Sequence, residues 1–336
     1  MQDSPTKRDR GEGSVLPERP YLKPWYRLTS SDGRLTLEYA HSAAVLEGKA
    51  VEKLLPVLLP LLDGTRTTEE INAYLGEEIE PAVTQALTLL ADRRLLTDGP
   101  PLAEGTPAPA ANSATFLAAV SRDRLTVAES EDALRSAQVS VVGSGAIASE
   151  IAKALRVAGL VELTLLDWAA PPDRLEALQL ALVAPDPGEI PRLHEWNRRA
   201  LSSRLPWLQV LPFDGRIAAV GPLYLPDDTC CYECYLRRRA GNVAMRDEDY
   251  LALQEEPAAY PSTTPLQLMA AGLAGTLALQ WLGERAAGQI ASHVPATMHA
   301  IEWDETVKLS RHHVYRVPRC PVCFEDDRGT PSPWHG

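Results

Sequence analysis

The sequence is sparing in the features that mark several large protein classes. Five cysteines in 336 residues cannot make a disulfide framework. Basic side chains are outnumbered, 33 Lys and Arg against 45 Asp and Glu, for a net charge of −12. Such a chain is poorly suited to a phosphate backbone, which argues against a nucleic-acid partner. The opening stretch Met1-Gln2-Asp3-Ser4-Pro5-Thr6-Lys7 lacks an apolar core, so no secretory signal is expected. Long apolar runs are missing too. The most apolar stretch, residues 266–282, is interrupted by Gln267, Thr276 and Gln280 and reads as a buried core helix rather than a membrane span. No HExxH, nucleophile elbow or Walker A sequence occurs, and no lysine lies between Lys153 and Lys308. The expectation is a reduced, cytoplasmic protein with neither nucleic-acid nor membrane partners.

Chain length allows two or three domains. Residues 1–19 are polar and Pro/Gly-punctuated, which predicts a disordered tail. Residues 20–97 read as a small module of three strands followed by three helices. Asp32-Gly33 marks a hairpin between alternating segments, and Ala43–Glu47 is the third strand. A helical pattern covers residues 51–62, but Pro56 and Pro60 interrupt it, each at a cost of about 3 kcal/mol in a helix interior. A capped helix follows at residues 68–75, and a third runs from Pro81 to about Arg94 with Val83, Ala86, Leu87 and Leu90 inward. Residues 98–112 form a Pro/Ala linker of extended character. Residues 113–328 make the second domain, with helices expected at 115–120, 174–182 and 193–204, a loop at 184–191, and hairpins near residues 207–220 and 298–314. Residues 329–336 are a tail.

Two features carry chemistry. Val139–Val142, a Gly143-Ser-Gly145 turn, an amphipathic run and a second apolar run ending in Asp167 give the order strand, turn, helix, strand. Such a turn either cradles a phosphate at a helix N-terminus, with Asp167 on a ribose, or simply lets strand and helix pack closely. The second feature is the pair Cys231-Tyr-Glu-Cys234 and Cys320-Pro-Val-Cys323. Each pair can offer two thiolates to one tetrahedral zinc, giving a closed structural site, and a redox dithiol is the alternative. Cys230 is a bystander. His194, His299, His312 and His313 have no partner at a telling spacing, and Arg237-Arg-Arg239 reads as a solvated helix face.

Val142-Gly-Ser-Gly145, Leu165-Leu-Asp167 and the late cysteine pairs together resemble the ThiF/MoeB-like fold of the ubiquitin-activating superfamily. Val220-Gly-Pro-Leu-Tyr-Leu-Pro226 with Cys231-Tyr-Glu-Cys-Tyr-Leu-Arg-Arg-Arg239 is similar to the ThiF-like partner proteins of azoline-forming peptide maturation (TOMM and thiopeptide) clusters. The front module, with Leu62-Asp-Gly-Thr-Arg-Thr67, is similar to the PqqD-like leader-recognition element. The resemblance implies an α/β fold, with a Rossmann-like ThiF-type domain holding structural zinc, preceded by a small α+β winged-helix PqqD-like domain.

It further implies a non-catalytic scaffold. The leader of a ribosomal precursor peptide would add as a strand beside Ala43, Ala44, Val45, Leu46 and Glu47, under Gln85, Leu89 and Asp92 of the third helix. A separate YcaO-type cyclodehydratase would then use ATP to form thiazolines or oxazolines. Whether the chain works as a monomer or homodimer is left open.

Adenylating relatives carry an Asn-x-x-Arg-Gln stretch, a lysine and a magnesium-binding aspartate after the ribose acid. Here Trp168-Ala-Ala-Pro-Pro-Asp-Arg-Leu-Glu176 follows instead. The span from Asp167 to Trp207 reads as too short for the usual intervening elements. An ATP site at Gly143, Gly145 and Asp167 is therefore expected to be vestigial. The alternatives are an adenylating enzyme of the ThiF/MoeB type and, for the glycine turn alone, a nicotinamide-dependent oxidoreductase, which would need a catalytic constellation the sequence does not offer.

Overall fold

The computed structural model describes residues 16–31, 33–99, 102–121, 124–243, 245–255, 259–288, 294–303 and 305–324. The expected tails at residues 1–15 and 329–336, and Asp32 of the first turn, lie outside them. Two compact units divide between Glu131 and Asp132.

In the first unit, β1 is Tyr21–Leu22, β2 Arg27–Ser31, β3 Arg34–Tyr39 and β4 Ser42–Glu47. The strands β2, β3 and β4 form one antiparallel sheet in that order. Ser31 pairs with Arg34 across a tight turn, which Gly33 closes at φ +73°. Alternation sends Leu35, Leu37 and Leu46 into the core. The helical run at residues 51–62 is broken, as its prolines require, into α1 (Lys49–Lys53), α2 (Leu55–Leu58) and a 3-10 turn. Helix α3 (Thr68–Leu75) starts at a capping box: Glu70 N–H donates to Thr67 Oγ1 (3.2 Å) and Thr67 N–H to Glu70 Oε2 (2.8 Å). Helix α4 (Glu80–Asp92) accepts Pro81 in its first turn and buries Val83, Ala86, Leu87 and Leu90. A short β5 (Leu96–Thr97) pairs with β1.

Two expectations for this unit change. Residues 16–19 do not stand free: Leu16 packs on the core, and Arg19 Nη1 donates to Thr65 O at 2.7 Å. The linker gives way at Ala108, where α5 (Ala108–Val120) begins. Alanine favours helix, and Pro109 falls in the first turn, where a missing N–H costs no hydrogen bond. Ala114 and Ala118 then pack with Val127 against Tyr21, Trp25 and Leu102. The division between units falls inside α6 (Val127–Ser136).

The second unit is built on a seven-stranded sheet. Its elements are β6 (Val139–Val142), α7 (Ala146–Val157), β7 (Leu163–Leu166), α8 (Pro172–Glu176), β8 (Leu180–Val183), a 3-10 turn at Pro187–Arg192, α9 (Leu193–Ser202) and β9 (Trp207–Leu211). They continue through β10 (Ile217–Tyr224), α10 (Tyr232–Asn242), α11 (Asp247–Glu255), α12 (Thr264–Ala286), β11 (Thr297–Trp303) and β12 (Val307–His313). Strand order is β12-β11-β10-β9-β8-β6-β7. The pairs among β7, β6, β8 and β9 are parallel and the rest antiparallel.

Strand β8 overturns two expectations. They are the single helix at residues 174–182 and a span to Trp207 too short for the usual intervening elements. Instead a five-residue α8 feeds a four-residue parallel strand at the middle of the sheet, and α9 returns to β9. All four residues of β8 are buried, so Leu-Ala-Leu-Val shows no period that separates strand from buried helix. Helix α12 is long and apolar enough to cross a membrane by length and composition alone. Ten of its residues are buried, among them Ala270, Ala274 and Trp281, and it packs on α7 and the sheet.

Candidate metal centre, crevice and groove

Cys231 occupies the N-cap position of α10, which puts Cys234 in the helix's first turn. Cys320 and Cys323 stand on a turn after β12, where Phe324 N–H bonds Cys320 O at 3.0 Å. The Sγ atoms of Cys231 and Cys234 are 3.8 Å apart, of Cys231 and Cys320 3.7 Å, and of Cys234 and Cys323 3.6 Å. A tetrahedron of sulfurs around zinc, with Zn–S near 2.3 Å, has edges of about 3.8 Å. Distances across the two pairs are as short as within one, so this is a single four-sulfur site and not two dithiols. Four cysteines so placed can bind a metal ion.

Three of the four are buried, which closes the site to a further ligand. Val317 N–H donates to Cys234 Sγ at 3.3 Å, and Arg316 Nη2 donates to the carbonyls of Asp227 (2.8 Å) and Thr229 (2.9 Å). Those bonds tie the second cysteine turn to the loop before the first. The hydrogen bond between Cys231 and Cys234 raises the first thiol and lowers the second. Cys230 is buried beside the cluster but outside it; burial, then the neighbouring sulfurs, push its thiol up to about 12.

The carboxyl ends of β6, β7 and β8 define a crevice where open α/β sheets bind ligands. Gly143 follows β6, Asp167 follows β7 and Asp186 follows β8. Gly143 has φ +126°, and a Cβ there would collide with the Ala184 carbonyl. A Cβ at Gly145 would collide with the Asp186 carboxylate. Gly143 is thus needed for packing against the backbone at Ala184, while Gly145 lies against the Asp186 side chain. Ser144 N–H, the amide between them, donates to Glu189 Oε2 at 3.1 Å.

The same oxygen accepts from Asp186 N–H (3.0 Å), and Trp168 Nε1 donates to Oε1 (2.9 Å). Burial opposes ionisation of Glu189, but these bonds outweigh it and hold the carboxyl below the usual range. Asp167 is exposed and accepts from Ala169 N–H at 2.8 Å. Sequence reading missed Asp186 and Glu189. The spacing Asp186-Pro-Gly-Glu189 is a capping-box signature and could have marked them.

In the first unit, among the described residues, β4 pairs with β3 alone and its other edge is open. A cavity of about 660 Å3 lies between β4 and α4, lined by Val45, Leu46 and Glu47 on one side and Gln85, Leu89 and Asp92 on the other. Val45 and Leu89 are 43% and 42% exposed, high for residues of this kind. Ala43 and Ala44 lie on the same strand outside the cavity lining. Of the histidines, His194 packs edge-on against Tyr232, and burial lowers the His299 ring's affinity for a proton. Arg237 and Arg239 pair with Glu233 and Asp214, so that segment is an ion-paired helix face rather than a free clamp.

No family and no curated protein matches the sequence. Solved structures do match the fold. The heterocyclase TruD superposes with a TM-score of 0.66 at 24% identity over 91% of this chain. A heterocyclase in complex with substrate and cofactor gives 0.68 at 21% identity over 90%. MccB of E. coli, in complex with AMPCPP and MccA, gives 0.57 at 13% identity, covering 90% of this chain and 99% of MccB. This chain spans only 43% and 39% of the two heterocyclase chains.

Proposed function

We propose that this protein is a scaffold that binds the leader of a ribosomal precursor peptide and presents it to a separate YcaO-type cyclodehydratase for thiazoline or oxazoline formation. The observation that carries this reading is the open edge of β4 beside a groove with exposed Val45 and Leu89. An added strand would pair its backbone with β4, and its alternate side chains would enter the groove under α4. Holding the peptide raises its concentration at the partner enzyme without any chemistry from this chain. The fold it shares with heterocyclases supports a role in azoline formation. Cys231, Cys234, Cys320 and Cys323 would hold a structural zinc, for which the sulfur spacing is right. A cytoplasmic, reducing compartment suits free thiols.

The second reading is an adenylating enzyme of the ThiF/MoeB type. It is favoured by the likeness to MccB, a protein solved with a nucleotide analogue, and by Gly143, Gly145 and Asp167 at the strand ends. The crevice weighs against it, because the Ser144 amide already serves Glu189 and the Asp186 carboxylate sits where phosphate oxygens would approach.

A fluorescent leader peptide, taken from the precursor encoded in the neighbouring genes, tests the proposal by anisotropy. Tight binding to the wild type and weakening by Leu89→Glu are expected. Unchanged binding by L89E, or ATP–pyrophosphate exchange by the chain alone, would refute it. Deleting residues 1–100 is a poorer test, since α5 packs on Tyr21 and Trp25.

A further inference from the structure

The carboxyl edge of the large sheet holds a cavity beside the filled crevice. Strand β9 runs parallel to β8, so Leu211 at its end stands on the same edge as Gly143, Asp167 and Asp186. A cavity of about 290 Å3 lies there, lined by Leu211, by Ile217 at the start of β10, and by residues of α10 and α11. Ile190, on the 3-10 turn that carries Glu189, lines it too. Open α/β sheets bind ligands outside the carboxyl ends of their strands. The Ser144 amide after β6 is taken by Glu189, and this cavity is the next position along that edge.

Exposure separates its mouth from its base. Leu253 and Tyr260 are 56% and 48% exposed, whereas Tyr235 and Tyr250 are buried. At the base Arg239 donates from Nη1 to the Tyr235 hydroxyl (3.1 Å), bonds Tyr250 and pairs with Asp214. Burial pushes the Tyr250 phenol up to about 12, so it keeps its proton. Tyr235 accepts from Arg239, which leaves its own O–H to donate. Asp214 is saturated: its Oδ1 accepts from Arg216 N–H (3.0 Å) and Ile217 N–H (2.8 Å), and its Oδ2 from Arg239. The base thus presents donors, while its cation and its carboxylate already neutralise each other.

That balance selects against charged ligands. An ammonium would have to share an acid that already serves three donors. A carboxylate would bury a charge with no cation left to match it. An uncharged acceptor on an apolar body suits both the donors and the walls. An internal peptide residue has that form, an apolar side chain between two amides.

We infer that this cavity binds an apolar residue of a peptide through a neutral backbone carbonyl, held by the Tyr235 and Tyr250 hydroxyls, with its side chain among Leu211, Ile217 and Leu253. On the scaffold reading, and only on it, that residue belongs to the precursor peptide.

The test titrates the full-length chain with three small probes, read by ligand-observed NMR. They are N-acetyl-leucine methylamide, N-acetyl-leucine with its free carboxylate, and leucine methylamide with its free ammonium. The neutral probe should bind at least about tenfold more tightly than either charged one. Tyr250→Phe and Tyr235→Phe should each weaken it about fivefold, the loss of one hydrogen bond. Leu253→Asp should weaken it as well with an unchanged melting temperature, because that side chain is already exposed.

Equal or tighter binding of either charged probe would overturn the inference. So would the absence of saturable binding of the neutral probe at millimolar concentration, or binding that neither Y250F nor L253D weakens. The probes contain no leader sequence. Failure of leader binding at β4 therefore sinks the scaffold reading alone, and failure of the neutral probe sinks this inference alone.

Discussion

The two units treat their obvious binding positions in opposite ways. In the second unit, the crevice at the carboxyl ends of β6, β7 and β8 is filled by the chain's own carboxylates. Glu189 takes the Ser144 amide and Asp186 closes on Gly145. In the first unit, among the described residues, β4 keeps an unpaired edge and a groove with half-exposed apolar side chains. The crevice is thus satisfied internally, while among the described residues the β4 edge is not. An open strand edge and exposed apolar surface are features that binding positions share, and a motif already saturated by its own chain is not.

Four experiments strain that contrast. The largest effect should come from the four-cysteine cluster. Chelating the metal or making Cys234→Ser should lower the stability of the second unit by several kcal/mol, as structural zinc contributes directly to folding. Calorimetry would resolve this, with stoichiometric zinc by elemental analysis. Leader binding should survive in the first unit, and if it is lost with the metal, the two units are not separable.

Next, Val45→Glu or Leu89→Glu should weaken leader binding by at least about tenfold, or about 1.4 kcal/mol, with unchanged melting temperature. Both side chains are already exposed, so little core packing is at stake.

Glu189→Ala should then destabilise the second unit by about 1–3 kcal/mol, because the Ser144, Asp186 and Trp168 donors lose their acceptor. It should also raise the affinity for a fluorescent ATP analogue above that of the wild type. The pH dependence follows from the lowered carboxyl of Glu189. Its stabilising contribution is present above the ordinary glutamate range and is lost as pH falls through the lower native value. Glu189→Gln should flatten that acid limb in urea titrations. The smallest effect is Thr67→Ala, which removes a helix cap and should cost about 1 kcal/mol in the first unit alone.

Much of this arrangement was legible in the residues, for reasons that also explain the misses. The 3.6-residue stripe of α4 and the prolines that break the run at residues 51–62 are local signals, and the structure carries both. The two cysteine pairs were legible as candidate metal ligands by spacing, although only the fold brings the four sulfurs into one cluster. Strand β8 was hidden because a short strand buried on both faces has no period. The role of Glu189 was hidden because its partner Ser144 is distant in sequence, and no local pattern encodes that contact.

Amide hydrogen exchange of the full-length chain, with and without leader peptide, tests the central claim most directly. Protection should rise along residues 42–47 of β4 and not at Ser144. Protection gained at Ser144 with β4 unchanged would contradict the account and return the working site to the crevice.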